Sequence, residues 1–369
     1  MTLPAQLRFA FFCNLCLMVL LSYGANSYAD TSSYFSASVP VSSQSTSERN
    51  RAAAQGLREV LVRMSGVTQL DDYPAIQEVL SNASRHIQQF QYELVRGGDG
   101  RRVEHLVMSF SPAVIERIIK EAGLPYWPAN RPSTLVWLVE DDATEGKRLI
   151  NDPNGPVMQG LSAAAKQRGV PLLLPLLDLD DQLAISAEQV WSFDEEAILS
   201  ASERYVADTI LVGRYARSFS GEWWTTWQYF QQGGSRLYEY RGVDAALVGQ
   251  QALAPLADEL ASRYALDSKA ESAAQLYIQI SPVNEFGTYR KALDYLRTLA
   301  VVSSYDLLAI TDDTVLLTLR LSGSQSQFLN ALSLDNKLRA RAPAVESTPW
   351  MAEAAGGPDK PLQLQWIGR

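Results

Sequence analysis

Three neighbouring segments in the middle of the chain determine the fold that we predict: DTILVGRY at 208–215, EWWTTWQYF at 222–230 and RLYEY at 236–240. The first is a short apolar run, typical of a strand that is buried on both faces. The second is dense in aromatic and β-branched residues, and the glycine pair at 233–234 after it indicates a hairpin. Apolar residues at helical spacing over 253–264 then predict a helix that covers the three strands.

The alternation of strands and helices extends upstream of this unit, so we assign residues 133–267 to a central α/β domain with a mixed sheet. Strands are predicted at Thr134–Glu140 and Pro171–Leu177, each followed by an acidic loop and a helical segment. Strands joined by helices become parallel neighbours through right-handed crossovers. The Trp-rich hairpin is expected to extend that parallel sheet in the antiparallel sense.

Two further domains are predicted on either side of the central one. Residues 30–125 indicate an N-terminal α/β domain, with a helix that begins at the capping-box sequence Ser45–Glu48 and a hairpin at the glycine-rich turn 97–100. The proline-rich segment 124–132 is the predicted boundary. Residues 272–369 follow the order β-α-β-β-α-β, which is the ferredoxin-like arrangement. The predicted fold class is therefore α/β and α+β.

The composition restricts the classes of partner. The chain has 369 residues, of which 47% are hydrophobic and 20% charged, with a formal net charge of −9. These are ordinary globular values. Lys and Arg do not cluster into a basic patch, so we expect no nucleic-acid partner. An acidic chain is also repelled by an anionic membrane surface. Protein partners remain open.

The N-terminus predicts export. Arg8 precedes an almost continuous apolar run at 9–21, and small residues lead to Ala29, which is the pattern of a signal peptide over residues 1–29. We expect cleavage after Ala29, a periplasmic location and no membrane span after cleavage. The alternative is that the apolar segment is retained as an anchor. Both cysteines, Cys13 and Cys16, lie in this segment, so the mature chain is expected to have no disulfide and no cysteine nucleophile.

Acidic residues follow the first two predicted strands of the central domain. Asp141 and Asp142 follow one strand, and Asp178, Asp180 and Asp181 follow the next. If the strands are parallel neighbours, their carboxyl ends share the sheet edge where open α/β folds bind ligands. Carboxylate oxygens there would suit Mg²⁺ or Ca²⁺, which makes a divalent cation the one cofactor that the sequence suggests. The alternative is that these residues are helix caps and solvated loop charges.

The two histidines, His86 and His105, favour structural roles, because no converging metal ligands or catalytic partners accompany them in the sequence. The chain also lacks the His-Glu-x-x-His, Gly-x-Ser-x-Gly, phosphate-loop and dinucleotide-glycine motifs. We therefore predict no catalytic residues.

Aromatic residues of the second central strand are the candidate binding residues. Trp223, Trp227 and Tyr229 share one face of that strand, whereas Trp224 lies on the other. One interpretation places the first three in the core. The other makes them an exposed platform that stacks on sugar rings or anchors a protein. Arg214 and Arg217 upstream would either supply forked donors to a carboxylate or contribute only charge at the rim.

Segments distributed over most of the mature chain resemble a proteobacterial envelope family, the domain of unknown function 2066. The segments that carry the resemblance include VLVRMSG at 60–66, SNASR at 81–85, RP at 131–132, LVW at 135–137, RGVP at 168–171, PLLD at 175–178, SERY at 202–205 and GR at 213–214. The resemblance implies an exported Gram-negative protein and supplies no activity, substrate or catalytic residue.

From these features we expect an exported periplasmic, non-enzymatic binding or scaffold protein of the Gram-negative envelope. Its preferred binding surface is the central domain, and both cell-wall glycan and another envelope protein are candidate ligands. One alternative is a metal-assisted hydrolase that uses the acidic loops. A second alternative is an accessory subunit of an envelope secretion or assembly complex.

Overall fold

The computed structural model confirms a mixed α/β fold with three separate sheets and, among the described residues, ten α-helices. The described residues are 31–96, 101–231, 234–267, 274–311, 313–335, 337–341 and 355–368. The predicted signal peptide, both cysteines and the predicted turn at 97–100 lie outside them. Within them, no helix combines the length and the apolar character that a membrane crossing requires.

The N-terminal part of the chain forms a three-stranded antiparallel sheet with helices packed on one face. Its elements are β1 (Ser36–Pro40), α1 (Thr46–Ser65), α2 (Pro74–Ser81), β2 (Ile87–Arg96), β3 (Arg102–Phe110) and α3 (Pro112–Ala122). The strand order is β1-β3-β2. The Ser45 side chain accepts the backbone N–H of Glu48, so α1 begins where the sequence predicts. It ends at Gly66 in the left-handed conformation, with φ 74°.

The central part forms the mixed sheet that the sequence predicts. Its elements are β4 (Thr134–Asp142), β5 (Gly146–Ile150), α4 (Pro156–Arg168), β6 (Leu172–Leu173), α5 (Leu179–Ala184), α6 (Ala187–Ser192), α7 (Glu195–Ser202), β7 (Thr209–Arg217), β8 (Trp223–Gln231), β9 (Gly234–Gly242) and α8 (Ala245–Tyr264). The order is β5-β4-β7-β8-β9, and β6 pairs with β4. Strands β4 and β7 are parallel, and β8 and β9 extend them in the antiparallel sense.

One predicted strand of this sheet is much shorter than expected. Instead of Pro171–Leu177, only β6 pairs with β4, at Thr134 and Leu135. The remaining edge of β4 is occupied by β5, a hairpin partner that the sequence analysis did not predict. Asp141 and Asp142 therefore belong to the end of β4 and its hairpin, and not to a free loop.

Helices cover both faces of the central sheet. Helices α4 and α8 pack together on one face, in contact with a core that contains Trp227 and Tyr229. Their axes approach closely, since a Cβ built on Gly160 would lie 1.8 Å from the carbonyl oxygen of Ala246. The short helices α5 to α7 enclose a second core on the other face, around Trp137.

The C-terminal part has the predicted ferredoxin-like connectivity. Its elements are β10 (Ala274–Ser281), α9 (Phe286–Thr298), β11 (Val302–Thr311), β12 (Thr314–Leu321), α10 (Gln325–Asp335), β13 (Leu338–Ala340) and β14 (Leu362–Trp366). The sheet order is β11-β12-β10-β14-β13, with β10 parallel to β14 and the other pairs antiparallel. The short edge strand β13 is an addition to the β-α-β-β-α-β order.

A buried arginine connects the N-terminal and central parts. Arg131, in the predicted proline-rich boundary, is only 7% exposed, and its guanidinium donates to the backbone carbonyls of Arg63, Trp127, Arg168 and Gly169. The same guanidinium lies over the Trp127 ring, 4.1 Å from its centroid. The boundary segment is therefore a packed junction.

Gly213 on β7 gives the Trp227 ring the space that it occupies in the core. The two residues are cross-strand partners, and a Cβ built on Gly213 would lie 2.3 Å from the ring. We expect Gly213→Ala to lower the free energy of unfolding by about 1–3 kcal/mol, because the ring and strand must shift to relieve the overlap. Urea unfolding monitored by circular dichroism measures this change.

The matched control is Gly287→Ala in α9, where an added Cβ would meet no atom within 4 Å. An alanine there should leave stability unchanged or higher. Equal effects of the two substitutions would contradict the packing role assigned to Gly213.

Candidate functional site

Two of the acidic residues after β6, Asp178 and Asp181, share one arginine. Arg204 pairs with Asp178 at 2.8 Å and with Asp181 at 2.9 Å. Asp181 is fully buried and also accepts the Leu177 backbone N–H and the Tyr205 hydroxyl. The Asp178 side chain caps α5 by accepting the Asp181 backbone N–H. The cap interpretation is therefore correct for Asp178.

The remaining predicted metal ligands have local roles or lie apart. Asp142 accepts the backbone N–H and hydroxyl of Thr144 and the N–H of Glu145, and these bonds, those of Thr144 first, lower its pKa to about 2. Asp141 pairs with Lys147 across the β4–β5 ladder, and Asp180 lies in the first turn of α5.

The structure does not bring the five aspartates together as one cation site. In the part of the chain that it describes, no three His, Cys, Asp or Glu side chains are grouped so that they could hold a metal ion. Arg204 already engages oxygens of Asp178 and Asp181. A cation at this position would have to displace a guanidinium, which costs the ion pairs that neutralise the buried Asp181 carboxylate.

The histidines occupy structural positions, as the sequence favours. His105 lies half-buried on β3, and its Nδ1 is 3.0 Å from the hydroxyl oxygen of Ser38 on β1. His86 ends a 3₁₀ turn before β2, and partial burial lowers its pKa. His105 therefore lies in the N-terminal sheet, whereas His86 lies in the turn that precedes β2.

The candidate binding aromatics lie mostly in the core. Trp227 and Tyr229 are buried beneath α8, and the half-buried Trp223 packs on the same core with its ring 5.8 Å from that of Tyr215. The core interpretation of this face is therefore correct. Buried side chains offer no surface to a ligand, so Trp227 and Tyr229 are not accessible as a platform.

The opposite face of the same strands carries an open site. A hollow of about 310 Å³ lies on the outer face of β7, β8 and β9, and we name it the aromatic–arginine hollow. The side chains that define it are Trp191, Arg214, Trp224, Thr226, Glu239 and Arg241. It includes Arg214, which the sequence analysis selected, and Trp224, which is 48% exposed.

The helical cover of this face buries Phe230 at one end of β8 and leaves Trp224 half-exposed at the other end. Helix α6 packs on β4, β5 and β7, whereas α8 packs on β8 and β9 from the opposite side. Among the described residues, α6 supplies one wall of the hollow, through Trp191, and α8 lies on the opposite side of the hairpin. Both sides of the sheet are built from the same three strands.

Aromatic rings hold the two arginines of the hollow. The Arg241 guanidinium lies 4.4 Å from the ring centroid of Trp224. The Arg214 guanidinium lies 5.4 Å from the Trp191 ring and 5.0 Å from the Phe193 ring, and it donates to the Trp191 backbone carbonyl at 2.8 Å. Stacking restricts both side chains and reduces the ordering cost of binding a ligand.

None of the three charged side chains of the hollow, Arg214, Arg241 and Glu239, forms an ion pair with another described residue. The ion pairs found within 4.0 Å elsewhere on the central sheet, such as Arg148 with Glu140, show that charges on this sheet commonly find partners. Two guanidiniums and one carboxylate are thus left available to a ligand.

A larger cavity of about 620 Å³ lies between the start of β7 and the α10–β13 segment. Its charged groups include Asp208, which accepts both the N–H and the hydroxyl of Ser133, and Arg263, which lies 3.6 Å from Glu259. Asp208 and Arg263 are thus engaged within the protein, and none of the lining residues is an arginine stacked on the ring of another described residue, which makes this cavity the weaker candidate.

Sequence reasoning missed most of the hollow. It selected Trp223, Trp227 and Tyr229 as a face because aromatic residues are concentrated there, although that concentration is equally typical of a core. The available signal was the alternation along β8, which places Trp224 and Thr226 opposite the buried set.

Comparisons with known proteins identify an uncharacterised domain. A family model described as a domain of unknown function (DUF8605) matches residues 29–128, which include the N-terminal sheet. This is a different family from the one that the sequence segments resemble. No curated protein matches the chain.

One solved structure found by similarity is a formyltetrahydrofolate deformylase from Pseudomonas putida. It is 10% identical, with 53% of this chain and 89% of that chain covered and a TM-score of 0.17. A TM-score this low supports no argument about fold or function.

Removing Arg204 tests the structural role of the acidic cluster. We expect Arg204→Gln to lower the free energy of unfolding by about 1–3 kcal/mol, because it leaves the buried Asp181 carboxylate without its cation. Chemical denaturation measures this. Arg148→Gln removes a more exposed ion pair with Glu140 and should change stability by no more than about 0.5 kcal/mol. An Arg204→Gln variant with an unchanged free energy of unfolding would contradict the role of Arg204 in neutralising the Asp181 carboxylate.

Acid titration tests the Asp178 contact separately. The Arg204 hydrogen bonds, followed by the Asp181 backbone N–H, lower the Asp178 pKa to about 2 from an ordinary value of about 3.9. A lowered folded-state pKa stabilises the fold above the ordinary value, and this contribution is lost as pH falls from about 4 to about 2.

We therefore expect Asp178→Asn, which keeps the helix cap, to unfold with a weaker pH dependence between pH 4 and 2 than the parent chain. Melting temperatures measured across that range provide the comparison. If the melting temperatures of the two chains fall equally between pH 4 and 2, the ionisation of Asp178 does not contribute to the stability of the fold.

Proposed function

We propose that this chain is an exported periplasmic, non-enzymatic binding or scaffold protein of the Gram-negative envelope, and that the aromatic–arginine hollow is its ligand-binding surface. The proposal gives the central domain the binding role. Cell-wall glycan and another envelope protein are the two candidate sources of the ligand.

Export is supported by sequence features that lie outside the described residues. Arg8, the apolar run at 9–21 and Ala29 have the pattern of a signal peptide. The segments that resemble the domain of unknown function 2066 support membership of that envelope family, which we retain as part of the proposal. The net charge of −9 favours a partner that is not a polyanion.

The observation that carries the binding proposal is the pair of ring-stacked guanidiniums without ion-pair partners among the described residues. An arginine held on an aromatic ring presents a fixed set of donors to a carboxylate. The half-exposed Trp224 ring adds an apolar surface for a sugar ring or an apolar side chain. Such a combination of aromatic residues and arginine is typical of binding hot spots.

The alternative of an accessory subunit in an envelope assembly is favoured by exposed apolar residues near the hollow. Phe219 lies in the β7–β8 turn, and Val243 in the β9–α8 connection, at the same end of the sheet as Arg241 and Trp224. Exposed apolar residues beside a polar site favour a protein partner. The hydrolase alternative has no comparable support, because Arg204 engages the carboxylates that it would use.

Trp224→Ala tests the hollow as the binding surface. We expect it to reduce retention of the bound envelope component at least about tenfold, because an exposed aromatic anchor is lost, while the melting temperature is unchanged. The measurement is affinity capture of the tagged chain from the periplasm and, separately, sedimentation with isolated cell wall.

The control is Phe219→Ala, which removes an exposed aromatic ring outside the hollow. Capture that survives Trp224→Ala but is lost with Phe219→Ala would move the binding surface to the β7–β8 turn. Equal capture by both variants and the parent would reject the hollow altogether.

A further inference from the structure

The strand register orders the side chains of the aromatic–arginine hollow into two rows. Arg214 pairs with Thr226, and Thr226 pairs with Glu239, which gives one row across β7, β8 and β9. In the next row Ala216 pairs with Trp224, and Trp224 pairs with Arg241. All six residues lie on the outer face, because positions two apart along a strand share a face.

The first row has opposite charges at its two ends. A cation on β7 and an anion on β9 are separated by the small side chain of Thr226 on β8. Neighbouring strands lie about 4.8 Å apart, so the backbones that carry Arg214 and Glu239 are about 10 Å apart. The two groups do not form an ion pair with each other, which leaves the space between them for a ligand.

The state of Arg214 indicates what one end of this row binds. Its guanidinium is half-buried between Trp191 and Phe193, and the hydrogen bond of its Nη1 atom goes to a neutral carbonyl. A partly desolvated cation gains most from a carboxylate that accepts two parallel N–H donors. Glu239, exposed at the other end, is an acceptor for an ammonium group.

We propose that the hollow binds a short zwitterionic peptide, with its carboxylate on Arg214, its ammonium on Glu239 and its apolar middle beside Trp224. The inference rests on the proposed binding function of this surface and specifies its ligand class. A fully extended tripeptide spans about 10 Å, which is of the same order as the backbone separation of the strands that carry Arg214 and Glu239. Arg241, stacked on Trp224, closes the side of the hollow next to Glu239.

Two simpler ligand classes fit the charges less well. A neutral sugar would cover Trp224 but leave Arg214 and Glu239 without counter-charges in a site that it has partly dehydrated. A simple anion would satisfy Arg214 or Arg241 but would leave Glu239 without a counter-charge. Only a ligand with both charges matches both ends of the row.

The probe is trialanine. Its binding to the mature full-length chain, purified after any processing by the host cell, is measured by calorimetric titration. Trialanine amide lacks the carboxylate, and N-acetyl-trialanine lacks the ammonium. We expect each blocked peptide to bind about tenfold or more weakly than trialanine, since each loses one charge-assisted contact. Trialanine made of D-residues and trialanine made of L-residues distinguish a wall-derived peptide from a short peptide released from a protein.

Variants assign each charge to its residue. Arg214→Gln should remove the difference between trialanine and its amide, and Glu239→Gln should remove the difference between trialanine and the acetylated peptide. Arg290→Gln and Glu78→Gln, exposed substitutions of the same types outside the hollow, should leave all three affinities unchanged.

Equal affinity for the three peptides, or no heat with any of them, would overturn the zwitterion assignment. That result leaves the proposed function standing if Trp224→Ala still abolishes capture of an envelope component. Loss of peptide binding in the Arg290→Gln control would overturn the placement in the hollow.

Discussion

The Arg131 guanidinium is the constraint on which the arrangement of the first two sheets depends. Helices α1 and α4 both end beside it, and their last carbonyls, which lack intrahelical partners, accept its N–H donors. Burial lowers the Arg131 pKa to about 9, so the group stays cationic at neutral pH and complements two negative helix termini. Arg63, buried beside it, donates to the Lys166 carbonyl of α4 in the same way.

The two faces of the central sheet differ. One face packs into a core, and the other carries the aromatic–arginine hollow. Gly213 makes room for the Trp227 ring, which seals the face beneath α8. The next residue, Arg214, necessarily points to the other side of β7, toward α6 and the open hairpin. Gly213 and Arg214 are adjacent in sequence and face opposite sides of the sheet. Dense packing around Gly213 on one face therefore holds the strand that positions Arg214 on the other.

Local patterns in the sequence predicted the strands β7 to β9, the start of α1 and the C-terminal connectivity, because each depends on residues close together in the chain. The β5 hairpin was missed, since the acidic residues Asp141 and Asp142 resemble a loop until their pairing with β5 is known. The hollow was missed for a related reason. The alternation along β8 separates Trp224 and Thr226 from Trp227, but which of the two faces is covered depends on where α6 and α8 lie in space.

The Asp178–Asp181 region and the aromatic–arginine hollow differ in whether their charged side chains form ion pairs within the protein. Asp178 and Asp181 meet the Arg204 guanidinium and further N–H or O–H donors, and these contacts hold α5 against the segment that carries Arg204. Around Trp224 the cations are stacked on rings, which fixes their position without cancelling their charge. A charge that is fixed in position but has no partner adds little to folding and lowers the cost of binding a complementary group, which is the physical reason for proposing the hollow as the binding surface.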